Sequence, residues 1–392
     1  MRWRAAFLGV AVVLGATALV AWMNVRGEDA LPSQVPLQVT PQLIARGAYL
    51  ARAGNCASCH TDRGGAAYAG GKGIATPFGT VFSSNLTPDP GTGIGTWSSA
   101  EFWRAMHHGR SRDGRLLYPA FPYPSYTLVS REDSDALYAY LRTVPAQQQA
   151  NRPHELRFPY GTQAALAVWR ALFFSPQDFA PAADKTAEWN RGAYLVQGLG
   201  HCQACHSARN ALGATSGKLD LGGGTIPMQN WYAPPLGGES PREMVQLLQS
   251  GIASHGAAMG PMAEVVANST RHLASADLQA MASFLADLPP RQEAIRRGPP
   301  APTEALDLGK RIYADRCLQC HGEQGPQRSE NLVRMILAGG FPATTAGNPR
   351  PYGMPPFAQS LTDAEVAAVA SYVRKGWGED VAVQPLDVQK LR

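Results

Sequence analysis

"RGAYLARAGNCASCH" (Arg46–His60) and "RGAYLVQGLGHCQACH" (Arg191–His206) are two versions of one pattern, more than 100 residues apart, and "LGKRIYADRCLQCH" (Leu308–His321) is a third. Each is a helix-forming stretch with a glycine on it (Gly47, Gly192 or Gly309) that runs into Cys-x-x-Cys-His. Each is answered downstream by a second helical stretch: "SREDSDALYAYLRTV", "ASADLQAMASFLADL" and "TDAEVAAVASYVRKG". Leu137/Tyr140, Met281/Phe284 and Val369/Tyr372 are i, i+3 pairs that share a helix face, and Thr362 with Glu365 spells a capping box. A glycine on the first helix lets an aromatic of the last approach closely where the two cross. Self-similarity of this kind means tandem copies of one unit.

All six cysteines fall in the three motifs: Cys56, Cys59 and His60; Cys202, Cys205 and His206; Cys317, Cys320 and His321. Cys-x-x-Cys-His is the attachment signature of c-type haem. Two thiols two residues apart reach the two vinyl groups of one porphyrin, and the next residue, histidine, binds the iron from below. Zinc wants four ligands, usually from paired Cys-x-x-Cys units, whereas these units are far apart and each brings its own histidine. A thioredoxin-like site would want a βαβ setting, and a disulfide within one motif would be strained. Three covalent haems c are expected.

The expected fold is mainly α, with three tandem cytochrome c-like domains, long loops and an N-terminal transmembrane helix. Its boundaries are an anchor and linker at 1–39, domain one at 40–145, a connector with a helix ("QAALAVWRALFF") at 146–182, domain two at 183–290, a linker at 291–303, domain three at 304–380 and a tail at 381–392. Forty glycines and 31 prolines in 392 residues suit long loops. Strand signals are sparse.

Arg2 and Arg4 precede Ala5–Met23, an uncharged run of 19 residues, close to the roughly 20 that span a bilayer. The arginines hold the N-terminus in the cytoplasm and send the rest across, with Trp22 at the far interface. A cleaved signal peptide is the alternative, but its apolar part should be about 7–15 residues, and "AWMNVRGEDA" offers no clean cleavage site. Both readings place the remainder on the periplasmic side. Charged residues are 17%, the formal charge is +5 and no Lys/Arg run is present, so nucleic acid is not an expected partner. "GGKG" and "LGGGT" are lone glycine clusters, better read as loops than as a nucleotide fingerprint.

The far side of each iron needs a second ligand. Methionine thioether is soft and raises the potential. Domain three offers Met354 in "YGMPPFAQSLTDAEV". Domain two offers Met259 and Met262 in "GAAMGPMAEVV", of which Met262, after a proline, is the choice. Domain one breaks the pattern in "RLLYPAFPYPSYTLVS": Phe121 lies 19 residues before Tyr140, where Met354 lies 18 before Tyr372. Met106, His107 or His108 on a nearby helix, Tyr118 or Tyr123, and an open or water-bound iron all stay possible there. Adjacent helical histidines are expected more often at the surface than on a metal.

The chain resembles the three-haem cytochrome c subunit of membrane-bound periplasmic dehydrogenases, which serves alcohol, gluconate, sorbitol and aldehyde dehydrogenases and molybdenum hydroxylases of nicotinate type. The resemblance runs from about residue 41 to 378, and "TPFGTVFSSNLTPDPGTGIGTWSSAEFWRAMHHGRSRDGRLLYPAFPYPSY" is its most specific part. It implies that the six cysteines and three histidines hold haem, and that Met262 and Met354 are distal ligands. It also implies a dehydrogenase catalytic subunit as partner, with or without a further small subunit, and ubiquinone or a terminal oxidase as acceptor. In domain one the family reads "PAMPY" where this chain has Phe121. The expectation is therefore an electron-transfer component at the periplasmic side of the inner membrane, not a catalyst on its own. The alternative is a haem-dependent peroxidase or oxygen-binding protein that uses an open first haem, with Arg104, His107 and His108 acting from the distal side.

Overall fold

The stretches that open and close the repeats are helices in the computed structural model of the chain, which describes residues 2–28, 37–215, 220–254, 256–290, 298–326 and 328–392. Contacts divide it into two compact units, residues 1–204 with 209–220 and residues 205–208 with 221–392.

In the first unit the N-terminal helix Arg2–Val25 has 24 residues, about 36 Å at 1.5 Å per residue. Phe7–Val25 within it is apolar and unburied. The opening helix Pro41–Ala53 starts at Thr40, whose hydroxyl accepts from Leu43 N at 3.1 Å, with Pro41 in the first turn where its missing N–H costs nothing. The closing helix Arg131–Leu141 starts at Ser130, which accepts from Asp133 N at 3.2 Å. The two cross at Gly47. A Cβ there would stand 2.7 Å from Tyr140 Cβ and would overlap the carbonyl oxygen of Ala136. Asp133, buried on the closing helix, accepts from Arg46 Nε at 2.6 Å and from Tyr194 Oη at 2.7 Å. A charge in that setting has to be paired to be tolerated.

Tyr194 ends the next opening helix, Ala187–Tyr194. The sequence reads as a single helix running into the motif, but Leu195–Leu199 is a π turn, with one extra residue per turn. The connector helix Gln163–Phe173 is present as expected. It packs on the N-terminal helix, where Asn24 Nδ2 donates to Ala167 O and Arg170 Nε donates to Asn24 Oδ1, both at 2.9 Å. Three short strands pair antiparallel in the order β1 (Gly73–Thr76), β2 (Gly79–Phe82) and β3 (Glu155–Leu156). At two to four residues each they are too short to show alternation in the sequence.

In the second unit the opening helix Thr303–Arg316 crosses the closing helix Asp363–Gly376 at Gly309. A Cβ at Gly309 would stand 2.9 Å from Tyr372 Cβ and overlap Ala368 O, which repeats the geometry at Gly47. The capping box forms: Glu365 N donates to Thr362 Oγ1 at 3.3 Å and Thr362 N donates to Glu365 Oε2 at 2.8 Å. Ile312, Leu332, Ile336, Val366 and Val369 fill the core beneath the crossing, each contributing roughly 1.5–3 kcal/mol by leaving water. The helix Pro241–Ser250 and the closing helix Ser275–Ala286, with Met281 and Phe284 buried, also belong to this unit. So do the pairs Gly224–Ile226 with Trp231–Ala233 and Ile252–Ala253 with Gly256–Ala257. Residues 291–297 of the expected linker lie outside the described residues.

Substituting Gly47 or Gly309 by alanine separates propensity from packing. Inside a helix alanine is favoured by about 1 kcal/mol, but overpacking a close contact costs roughly 1–3 kcal/mol or more. Thermal unfolding should show both variants destabilised. Gly376→Ala, with nothing within 4 Å of its Cβ position, should be neutral or slightly stabilised.

Candidate haem sites

Cys56–His60 is a single helical turn, entered through Asn55 in the left-handed region at φ 51, which asparagine tolerates. His60 Nδ1 lies 2.7 Å from Ser84 O. A carbonyl can only accept, so Nδ1 carries the proton and Nε2 keeps its lone pair, the arrangement of a histidine ready to bind a metal. Burial lowers the pKa of His60, opposed by this bond, so the ring stays neutral. Gly70 N donates to His60 O at 2.8 Å, and Leu86 N to Tyr68 O at 2.8 Å. Tyr68 (φ 62) and Gly70 (φ 76) both have positive φ.

The second motif repeats this lattice. His206 Nδ1 donates to Pro234 O at 2.7 Å. Gly223 N donates to His206 O at 2.9 Å, and Leu236 N to Leu221 O at 2.8 Å. Leu221 (φ 40) and Gly223 (φ 84) take the places of Tyr68 and Gly70. Burial again lowers the histidine pKa. The third motif differs: its opening helix runs straight to Arg316, and His321 has no such bond among the described residues. Tyr313 Oη donates to Gly322 O and Trp377 Nε1 to Pro326 O, both at 2.7 Å, and these fix the loop after the motif.

No disulfide joins any two of the six cysteines. Burial, then the neighbouring Cys59, push Cys56 up to about 12. Burial raises Cys59 against the pull of Lys72, and burial with Cys320 raises Cys317. Among the described residues no group of three or more His, Cys, Asp or Glu could hold a bare ion. The donor set fits thioether attachment of haem c.

The distal positions can be put in register. The helix Ser99–His108 ends at Gly109 (φ 58), Arg110 pairs with Leu116, and Leu117 N donates to Gly109 O at 2.8 Å. Pro241–Ser250 ends at Gly251 (φ 79), Ile252 pairs with Ala257, and Ala258 N donates to Gly251 O at 2.8 Å. Four residues past Leu117 is Phe121; four past Ala258 is Met262. In the third copy Leu332–Ala338 ends at Gly339, and Met354 itself pairs with Gly340, with Met354 N donating to Gly340 O at 2.8 Å. Met262 and Met354 are both half-buried against apolar clusters. Met259 instead reaches toward Gly340, where a Cβ would lie 2.8 Å from its Cε.

Phe121 packs edge-on against Tyr126, with centroids 5.3 Å apart. Tyr126 is buried, and burial, then Cys56 and Cys59, raise its phenol well above the ordinary value. Tyr126 was missed in the sequence, as were the carbonyls of Ser84 and Pro234. The available signal was the leucine two residues after each carbonyl, Leu86 and Leu236.

The other first-domain candidates pack against their neighbours, and Tyr123 Oη is buried without a hydrogen-bond partner among the described residues. Tyr118 meets His154 at 5.0 Å and Tyr123 meets Phe174 at 4.7 Å. Phe102 packs on Tyr138 of the closing helix, and Met106, one turn on, shares that helix face. His107 and His108 are not surface residues as expected: each is 7% exposed. His107 stacks on Trp103 at 4.3 Å and meets His108 at 4.6 Å. Arg110 Nε donates to Glu28 Oε2 at 2.9 Å, with Arg104 3.9 Å from the same carboxylate, and Arg170 lies over Tyr123 at 5.1 Å. Burial, then His107, Arg170, Arg110 and Arg104, lower His108 to about 4. His108 thus lies among Arg104, Arg110 and Arg170, while His107 Nδ1 is buried without a hydrogen-bond partner among the described residues.

Residues 44–145 match the family described as "Cytochrome c", and residues 304–373 match "Cytochrome C oxidase, cbb3-type, subunit III". The chain is 35% identical to the gluconate 2-dehydrogenase cytochrome c subunit of Pantoea cypripedii, over 98% of this chain and 94% of that one. It is 36% identical to the cytochrome c subunit of alcohol dehydrogenase (quinone) of Gluconacetobacter polyoxogenes, over 89% and 84%. It is 41% identical to a nicotinate dehydrogenase subunit of Pseudomonas putida, over 86% of this chain but only 30% of that longer protein.

A histidine held neutral in the fold destabilises it once it must charge. The stability that neutral His108 contributes is complete above about pH 6.5 and is lost as pH falls toward 4, by up to about 3 kcal/mol. Urea midpoints measured across that range should fall on acidification, and His108→Gln should flatten the dependence.

Proposed function

This chain belongs to the family of cytochrome c subunits of dehydrogenase complexes, and from that premise we propose that it carries three covalent haems c. On this reading it relays electrons from a dehydrogenase catalytic subunit to ubiquinone or a terminal oxidase at the periplasmic face of the inner membrane. The observation that carries the reading is the twice-built histidine cradle, His60 on Ser84 O and His206 on Pro234 O, behind a motif that occurs three times and uses every cysteine.

Three cytochrome c-like domains, 40–145, 183–290 and 304–380, each hold one haem. Cys56 and Cys59, Cys202 and Cys205, and Cys317 and Cys320 form the thioethers. His60, His206 and His321 are the proximal ligands. Met262 and Met354 are distal ligands, soft donors that favour the reduced state. When bound, each haem supplies a one-electron couple; the chain's part is to hold, bury and space it. The partner is an exported dehydrogenase, of the class that the names of the relatives describe.

Membrane attachment through Arg2–Val25 is supported by that helix's apolar, unburied surface and by the bonds made at its C-terminal end. Asn24 and Glu28 bond Arg170 and Arg110 of the first unit, so the end of the helix is tied to the folded domain. Val168 and Leu172 on the connector helix, packed beside it, are exposed and continue the apolar surface. The peroxidase alternative loses support, because Arg104 lies beside Glu28 and His108 lies among Arg104, Arg110 and Arg170. General acid–base work needs groups within hydrogen-bond reach of the reacting atoms.

The chain, produced in a host that matures c-type cytochromes, should give three haems per polypeptide by pyridine haemochrome. Replacing both cysteines of any one motif by serine should remove a third of the haem, and the full-length protein should sediment with membranes and reduce a soluble quinone analogue. Fewer than three haems in the unaltered chain, or rapid peroxide turnover without quinone reactivity, would contradict the proposal.

A further inference from the structure

We infer that the first unit makes a second contact with the membrane, in which the connector helix Gln163–Phe173 and the turn before it at Phe158 and Tyr160 lie in the lipid–water interface beside the N-terminal span. The inference rests on the reading of Arg2–Val25 as a membrane anchor and deepens it. A single span tethers the chain; a second contact decides which face of the first unit meets the lipid.

The stretch "QAALAVWRALFF" carries one charge, Arg170. That guanidinium is turned inward: it is buried and donates to Asn24 Oδ1 at 2.9 Å and to Gly109 O at 3.4 Å. Leu166 and Ala171 are buried with it. Ala164, Val168 and Leu172, spaced i, i+4 on another face, are exposed, Leu172 by 64%. A surface helix in water turns charged and polar side chains outward. This one turns aliphatic side chains outward.

The apolar surface continues beyond the helix. Phe158 is 88% exposed. Tyr160, next but one to it, packs on Phe78 with centroids 4.6 Å apart. The Phe78 ring in turn lies 3.0 Å from the Cβ position of Gly213. The neighbouring Leu212 is exposed, and its carbonyl accepts from Trp169 Nε1 at 2.9 Å, which leads back to the connector helix. Connected apolar surface of this kind marks a contact with a partner or a membrane.

Continuity with the span selects the membrane. Asn24 Nδ2 donates to Ala167 O at 2.9 Å, one residue before Val168. Arg26 Nη2 donates to Ser175 Oγ at 2.5 Å, just past the end of the connector helix. The helix is therefore held where the span leaves the bilayer. Tryptophan and tyrosine collect at that depth, and Trp169 and Tyr160 supply them here. An interfacial helix binds in proportion to the apolar area it buries.

Single cysteines at Phe158→Cys, Val168→Cys and Leu172→Cys, each carrying a fluorophore, report the contact in the full-length holoprotein. Glu132→Cys, at an exposed polar position of the closing helix, is the control. Haem per chain is counted in every variant. The proteins are reconstituted into phosphatidylethanolamine–phosphatidylglycerol vesicles, and the labels are challenged with nitroxide-bearing lipids and with iodide in the water. The expected result is quenching by the lipid nitroxides and loss of iodide quenching at 158, 168 and 172, with the reverse at 132. Protein bound to the vesicles with all four labels open to iodide would overturn the inference and leave the anchor standing. Labels at 158, 168 and 172 shielded from iodide but untouched by the lipid nitroxides would overturn it in favour of a second copy of the chain. Protein that stays out of the vesicles would overturn the anchor reading and this inference with it.

Discussion

Backbone meets backbone at Gly47 and at Gly309, and that contact is the constraint from which the rest of those two repeats is built. Without a Cβ, the opening helix comes down onto the carbonyl of Ala136 or Ala368 and onto the Cβ of Tyr140 or Tyr372. The depth of that crossing sets how far the helix end, and hence the Cys-x-x-Cys-His turn, stands from the closing helix. Any side chain larger than hydrogen would lift the helices apart and widen the space in which a porphyrin must be gripped.

From that crossing the two sides of the haem are built by different means. The proximal side is a backbone lattice. The bonds of Gly70 to His60 O and Leu86 to Tyr68 O are matched by Gly223 to His206 O and Leu236 to Leu221 O, although the intervening sequences differ. Such a lattice fixes the tautomer of His60 and His206 whatever the neighbouring side chains are. The distal side depends on a single side chain at the end of a short loop. Changing it leaves the fold alone: Phe121 and Met262 follow the same 2.8 Å bond back to a glycine carbonyl at equal distances.

The Cys-x-x-Cys-His spacing was the most explicit feature of the sequence, because two thioethers and one iron bond would demand a rigid spacing that the sequence must spell out. The helix crossing was nearly as plain, since a glycine on one helix and an i, i+3 aromatic pair on the other leave few alternatives. The carbonyls of Ser84 and Pro234 were harder to read, because a backbone acceptor has no side chain of its own and only the leucine two residues on, Leu86 or Leu236, marks it. The surroundings of His108 were missed for another reason: Arg170, which lies far away in sequence on the connector helix, reaches it only through packing. The short strands and the π turn at Leu195–Leu199 carry too few residues for a periodicity to show.

The claim on which everything rests is that one chain holds three separate one-electron centres. The most direct measurement is an anaerobic reductive titration of the purified full-length protein, followed at its c-type absorption band against electrons delivered. The account predicts three electrons taken up per chain, resolved as three one-electron steps. An end point at one or two electrons, with the polypeptide intact, would contradict it.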